Sequence, residues 1–251
     1  MPEFTSHEPG TFCWIELATS DPIAAKQFYT SLFGWTVNEN DMGEMVYYIF
    51  QKNGRDCAAM YKQGADQQGA PPNWMSYVCM TSADDAAAKA KSHGGNVVAG
   101  PFDVADYGRM AVLIDPQGAA ISLWQPKKNI GVQIRDEANT LCWNELQATD
   151  LDAAKKFYAA LFGWTLKESP EYIELHAGTK AIGGMMKSQA PPEVPSYWIP
   201  YFAVEDCDAI VQKAGAGGAA VHVPPTDIPN VGRFAVLADP QGAAFSVIKL
   251  G

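Results

Sequence analysis

Residues 11–36 read TFCWIELATSDPIAAKQFYTSLFGWT, and residues 140–165 read TLCWNELQATDLDAAKKFYAALFGWT. The two stretches share Cys13/Cys142, Trp14/Trp143, Glu16/Glu145, Asp21/Asp150, Phe28-Tyr29/Phe157-Tyr158 and Gly34-Trp35/Gly163-Trp164. A second echo pairs GRMAVLIDPQGAAISLW (108–124) with GRFAVLADPQGAAFSVI (232–248). Between these anchors, Pro71-Pro72 and Tyr77 are matched with Pro191-Pro192 and Tyr197, so the offset drifts from 129 to 120 to 124. Loops changed length while the anchors kept their order. A repeat of about 125 residues is a duplicated domain and not a solenoid. The spacing predicts one domain over 8–126 and a second over 137–250, joined by the polar stretch Gln125–Asn139.

Each copy reads the same way. Residues 12–18 suit a strand, and Asp21 stands as an N-cap before Pro22 at the first helical position. Ala24, Ala25, Phe28, Tyr29 and Leu32 form one apolar stripe that ends at Gly34. Short β-rich runs follow at 35–40, 44–51 and 56–61, then a strand at 74–80 after a proline-rich turn. An alanine-rich helix from Asp84 to His93 closes at Gly94-Gly95. Strands at 96–104, 109–114 and 119–124 complete the copy, the last two joined by the turn Asp115-Pro-Gln-Gly118. The expected class is α+β, a tandem duplication built from a βαβββ module used four times.

Composition narrows the functions. Of 251 residues, 47% are hydrophobic and 18% charged, which is enough apolar material for a packed core. The formal charge of −10 disfavours phosphate backbones and anionic lipid surfaces, so neither nucleic acid nor membrane is an expected partner. No apolar run reaches the roughly 18 residues needed to span a bilayer. The opening Met1-Pro-Glu-Phe-Thr-Ser-His has neither the basic nor the apolar region of a signal peptide, so a cytoplasmic protein is expected. Cys13, Cys57, Cys79, Cys142 and Cys207 are odd in number and contain no CxxC pair, which fits neither a disulfide framework nor a thiolate zinc site.

A strand, an Asp-capped helix ending in "FY…LFGW" and a later "DP.G" between two strands resemble the vicinal oxygen chelate superfamily of glyoxalases, bleomycin-resistance proteins and extradiol dioxygenases. The resemblance covers 8–126 and 137–250. It implies that paired modules curl their sheets into cups that hold a ligand, two cups for this chain. It also implies where metal ligands would stand, on the first and last strands of a module. Counting back seven residues from Asp21 gives Trp14, and from Asp150 gives Trp143. Four residues beyond the Gly of "DP.G" stand Ser122 and Ser246. Indole is no ligand for a hard divalent cation and a serine hydroxyl is a weak one, so no metal and no cofactor are expected. The histidines do not change this: His93 reads as a helix C-cap, His7 as part of a mobile N-terminus, and His176 and His222 lack equivalents in the other copy.

Glu16 and Glu145 each lie two positions after the tryptophan, so Trp and Glu share one strand face. If that face is the cup interior, burial raises the carboxyl pKa and suits it to acid–base work. The structural alternative, ranked first because the motif is unaltered in both halves, pairs Glu16 with Arg109 and Glu145 with Arg233. Trp74, Trp124, Trp198, Tyr77 and Tyr197 also fall on predicted strands and are candidate lining residues, with core packing as the ordinary alternative. Trp35 and Trp164 read as core.

Two functions follow. One is a protein that holds a small aromatic or apolar ligand in metal-free cups. The other is a lyase, isomerase or hydroxylase-like enzyme, akin to lactoylglutathione lyase, that uses Glu16 or Glu145 as acid and base. Four modules in one chain are compatible with a monomer, and a homodimer is also allowed.

Overall fold

The computed structural model describes residues 3–43, 45–67 and 69–251. Two eight-stranded mixed sheets carry the chain, one per sequence repeat. The first holds β1 (Phe12–Thr19), β2 (Thr36–Asp41), β3 (Val46–Lys52), β4 (Arg55–Lys62), β5 (Asn73–Cys79), β6 (Asn96–Val104), β7 (Gly108–Ile114) and β8 (Ala120–Pro126), with α1 (Pro22–Phe33) and α2 (Ala83–Ser92). The second holds β9 (Leu141–Ala148), β10 (Thr165–Glu168), β11 (Ile173–Ala177), β12 (Lys180–Lys187), β13 (Tyr197–Ala203), β14 (Ala220–Ile228), β15 (Gly232–Ala238) and β16 (Ala244–Leu250), with α3 (Leu151–Phe162) and α4 (Cys207–Ala216). The strand order is β2-β3-β4-β1-β5-β8-β7-β6, and it repeats as β10-β11-β12-β9-β13-β16-β15-β14. The run expected at 44–51 begins on Glu44, outside the described residues, and is a strand from Val46. Met1 and Pro2, the start of the segment read for targeting, also lie outside them.

Local chemistry starts and stops the helices as the sequence indicates. The Asp21 carboxylate accepts from the amides of Ile23 and Ala24, and Asp150 does the same for Asp152 and Ala153. Gly34 and Gly163 close α1 and α3 in the left-handed region, at φ 71° and 72°.

The sheets bury their helix-covered faces against one another, and each core draws on both repeats. One contains Phe28, Tyr29 and Leu32 of α1 together with Phe202, Leu237, Phe245 and Val247 of the second sheet. The other joins Ala86, Ala90, Leu113 and Ile121 of the first repeat to Phe157, Tyr158, Leu161 and Trp198 of the second. Reciprocal hydrogen bonds tie the halves. Tyr29 donates to Asp239 and Tyr158 to Asp115, both at 2.9 Å, so the aspartates of the "DPQG" turns also anchor the opposite repeat. Trp35 reaches the Asn139 carbonyl, and Trp164 that of Gly10. The segment between the repeats is not a loose tether, since Val132, Ile134 and Arg135 are buried.

Candidate functional site

Alternation along β1 sends Ile15 and Leu17 to the helix side and Trp14, Glu16 and Ala18 to the other, concave face. A bulge between Phe12 and Trp14 lets Phe12 turn back into the core while its neighbours face the cup. The central strands align Trp14 with Tyr77 and Tyr77 with Ser122. In the second sheet the same row is Trp143, Tyr201 and Ser246. Trp124 packs edge-on to Tyr77 at 6.5 Å, and Val132, Ile49, Met75 and Met110 enlarge this first apolar hollow. Around the second row stand Cys142, Tyr197, Ile199, Phe234, Val236 and Ile248.

Glu16 is the polar centre of the first cup. Its Oε1 accepts from Tyr47 at 2.5 Å and its Oε2 from Tyr77 at 2.6 Å, while Trp14 Nε1 donates onward to the Tyr47 oxygen at 3.3 Å. Burial pushes the Glu16 carboxyl above its ordinary range, and the two phenols pull it part of the way back. Desolvation and the neighbouring carboxylate keep Tyr47 and Tyr77 protonated. Glu145 is held by two donors on one oxygen: Tyr201 donates to Oε1 at 2.9 Å and Gln147 to the same atom at 2.7 Å. Tyr172, which accepts from Trp143 at 2.8 Å, stands beside the carboxylate outside strict hydrogen-bond geometry. Burial raises the Glu145 carboxyl too, opposed by Tyr172, Tyr201 and Gln147. The Ser122 hydroxyl is fully buried with no hydrogen-bond partner; Ser246 sits beside the Tyr201 hydroxyl, outside strict hydrogen-bond geometry.

The structure gathers Trp14, Glu16, Tyr77, Ser122 and Trp124 in one cup, and Trp143, Glu145, Tyr197 and Ser246 in the other. It removes four candidates. Arg109 does not pair with Glu16 but with Asp84 and Asp103 on the outside, and Arg233 pairs likewise with Asp208 and Asp227. Parity explains the loss of Trp74 and Trp198. Each stands an odd number of residues from the cup tyrosine of its strand, so it points into the core and donates to Tyr29 or Tyr158. The register also corrects the repeat alignment: Tyr77 matches Tyr201, whereas Tyr197 occupies the place of Asn73. His7 is not mobile either, since its ring hydrogen-bonds the Val132 carbonyl and stacks on Phe4. His93 caps α2 as expected.

Sequence reading missed Tyr47, Tyr172 and Gln147. Tyr47 lies on β3 and Tyr172 immediately before β11, in hairpins whose loops differ in length, so no fixed offset reveals them. Gln147 was visible as a Glu-x-Gln spacing opposite Glu-x-Ala in the first repeat.

The chain belongs to the Glyoxalase/Bleomycin resistance protein/Dioxygenase superfamily, whose family model matches residues 11–123 and again 140–247. It is 43% identical over 258 residues to the protein named "Putative glyoxylase CFP32" of Mycobacterium tuberculosis (strain CDC 1551 / Oshkosh), covering 99% of this chain and 98% of that one. It is 35% identical to the anthracycline biosynthesis protein DnrV of Streptomyces peucetius, over 98% and 95% of the two chains. Among solved structures it is similar to the 2,3-dioxygenase LapB from Pseudomonas sp. KL28, with a TM-score of 0.65, 13% identity and 98% and 94% coverage. The Mn(II)-bound glyoxalase from Novosphingobium aromaticivorans also scores 0.65 at 13% identity, over 96% of this chain and 82% of that one. At such identity these structures speak for the fold alone.

The residues present do not suit a divalent ion such as that glyoxalase carries. The three central strands of each cup present indole, phenol and hydroxyl in a row, and the carboxylate next to each row, Glu16 or Glu145, is already held by tyrosine. Among the described residues no three His, Cys, Asp or Glu side chains converge as a metal site. Nor does any described helix have the length and apolarity to cross a membrane. A polar groove of about 890 Å³ runs along the start of α3 and borders the second cup through Tyr172, with Asp150, Asp152 and Glu168 facing Lys155. Lys155 already bridges Asp152 and Glu168 there.

Proposed function

We propose that the concave faces bind a small, flat, apolar or aromatic organic molecule without a metal. One observation carries this reading: the row where cation donors would stand is built instead of Trp14, Tyr77 and Ser122, and again of Trp143, Tyr201 and Ser246. Ring-lined hollows with few polar handles favour planar ligands. Anthracyclines are polycyclic aromatics, so likeness to a protein named for their biosynthesis agrees with that class. A cytoplasmic, metal-independent small-molecule binder results.

The second reading, turnover, is favoured by the Glu16 carboxyl, raised by burial and in contact with both the cup and two phenols. In that case Glu16 takes a proton from an acidic ligand O–H or C–H and returns it elsewhere.

Calorimetric titration with 2-naphthol tests binding. We expect saturable heat that survives prior dialysis against EDTA and falls at least about tenfold in affinity in Trp14→Ala, since a ring contact is removed. A stoichiometric divalent ion in the purified protein, with binding lost after its removal, would overturn the reading.

A further inference from the structure

The two cups differ around their carboxylates, and the difference assigns them different tasks. Resting on the reading of the cups as ligand sites, we propose that only the first cup recognises a ligand hydroxyl, through Glu16, and that Gln147 closes Glu145 of the second cup to any such ligand.

The argument is one of donors and space. A carboxylate offers about four acceptor positions. Glu16 receives one phenol on each oxygen, which leaves each oxygen room for a further donor. Its side chain keeps some exposure into the hollow, whereas Glu145 is only 5% exposed. The position that would crowd Glu16 is Ala18, too short to reach it. Its equivalent in the second repeat is Gln147, whose amide lies 2.7 Å from Glu145 Oε1 beside the Tyr201 bond. Opposite Ala18 stands Asn73, and opposite Gln147 stands the larger Tyr197, whose phenol is kept protonated by burial and, secondarily, by the nearby Glu145 carboxylate. Beside its carboxylate the second cup therefore carries larger side chains than the first.

Each cup also contains an unmet polar group, Ser122 in the first and Ser246 in the second. Ser122 is fully buried on the cup face, beside Tyr77 on the neighbouring strand, and its hydroxyl has no partner. Buried hydroxyls are rarely left unpaired without cause. A planar molecule lying against Trp14 and Trp124 would supply a donor to Glu16 and bring an oxygen within range of Ser122. The chemical class is a phenol or enol on a fused ring, and the specificity-determining residues are Glu16 and Ala18.

The test compares 2-naphthol with 2-methoxynaphthalene, which has the same ring but no donor, by calorimetry on the full chain. We expect 2-naphthol to bind one site per chain at least about tenfold more tightly than its ether, the range of a hydrogen bond to a charged group, and any second site to show no such preference. Glu16→Gln should erase most of that tenfold preference, and Glu145→Gln should leave stoichiometry and preference unchanged. Ala18→Gln should abolish the preference by copying the second cup into the first, with thermal unfolding confirming that the variant folds. Two sites with the hydroxyl preference in the unaltered protein, loss of the preference in Glu145→Gln, or retention of it in Glu16→Gln or Ala18→Gln would overturn the proposal while leaving the cups as ligand sites. Failure of both naphthalenes to bind would instead remove the ligand reading beneath it.

Discussion

The first cup is roofed and the second is not. Across the first runs the strap between the repeats: Val132 N bonds the Cys13 carbonyl, Gln133 pairs with Asp56, and Trp124 donates to the Asn129 carbonyl. Cys13 is fully buried and Trp14 is 5% exposed, while their equivalents Cys142 and Trp143 are only partly buried. At the carboxylates the contrast reverses, for Gln147 and Tyr197 enclose Glu145 where Ala18 and Asn73 leave Glu16 open. The inner face of β11 is polar as well: Glu174 binds His176 at 3.0 Å, where β3 presents Ile49. The cores behave otherwise. Tyr29 and Tyr158 make matching bonds at matching distances to aspartates of the opposite repeat. After duplication each core serves both halves and is constrained twice, whereas each cup answers only to its own contents.

That contrast can be broken in four ways, from the largest effect to the smallest. Trp35→Ala and Trp164→Ala should each cost about 3–5 kcal/mol by emptying a buried site and orphaning a carbonyl of the other repeat. Denaturant unfolding should find the two equal within about 1 kcal/mol, within the scatter expected of equivalent sites; a clear inequality would end the symmetry of the cores. Gly131→Ala comes next. Glycine at φ 107° holds the strap so close that a Cβ would stand 2.1 Å from the Cys13 carbonyl. The strap must lift, at about 2–3 kcal/mol, and amide exchange should quicken around Cys13 but not around Cys142.

Tyr77→Phe and Tyr201→Phe sharpen the comparison of carboxylates. Glu16 would lose its sole donor on Oε2, whereas Glu145 would keep Gln147 on the same oxygen that Tyr201 uses, so we expect a loss of about 1–3 kcal/mol in the first variant and a smaller one in the second. Thermal unfolding of both variants measures it. The smallest effect concerns pH. A carboxyl raised by folding favours the native state below its unfolded value, near 4.5, and that contribution is lost as pH rises through the folded value. Glu16→Gln should therefore gain in Tm over the unaltered protein as pH climbs from about 4.5 toward neutrality. Glu145→Gln should gain less, because Tyr172, Tyr201 and Gln147 all favour its anion. A flat difference at Glu16 would contradict the burial argument.

Much of this was legible in the chain itself. The repeats, the Asp caps, the glycine stops and the strand–helix order follow from residues that act on near neighbours, so spacing alone reports them. Placing Trp14 and Glu16 on one face needs only the two-residue period of a strand. The row through Ser122 was found by family resemblance, and the pairing of strands then explained it. What the sequence could not show depends on which strands meet. Arg109 sits on β7, with β5 and β8 between it and β1, and finds Asp84 and Asp103 nearer at hand. Tyr197 was mistaken for the partner of Tyr77 because an inserted turn shifts the offset, and only pairing with β9 restores the register.

By itself the sequence determined a duplicated α+β chain with an indole and a carboxylate side by side in each half, because periodicity and capping are properties of adjacent residues. Tertiary structure alone decided that Tyr47 and Tyr172 stand at those carboxylates, that the arginines face outward, and that the strap covers one hollow. These are contacts between strands far apart in the chain, and they exist only once both sheets have formed and closed on their shared cores.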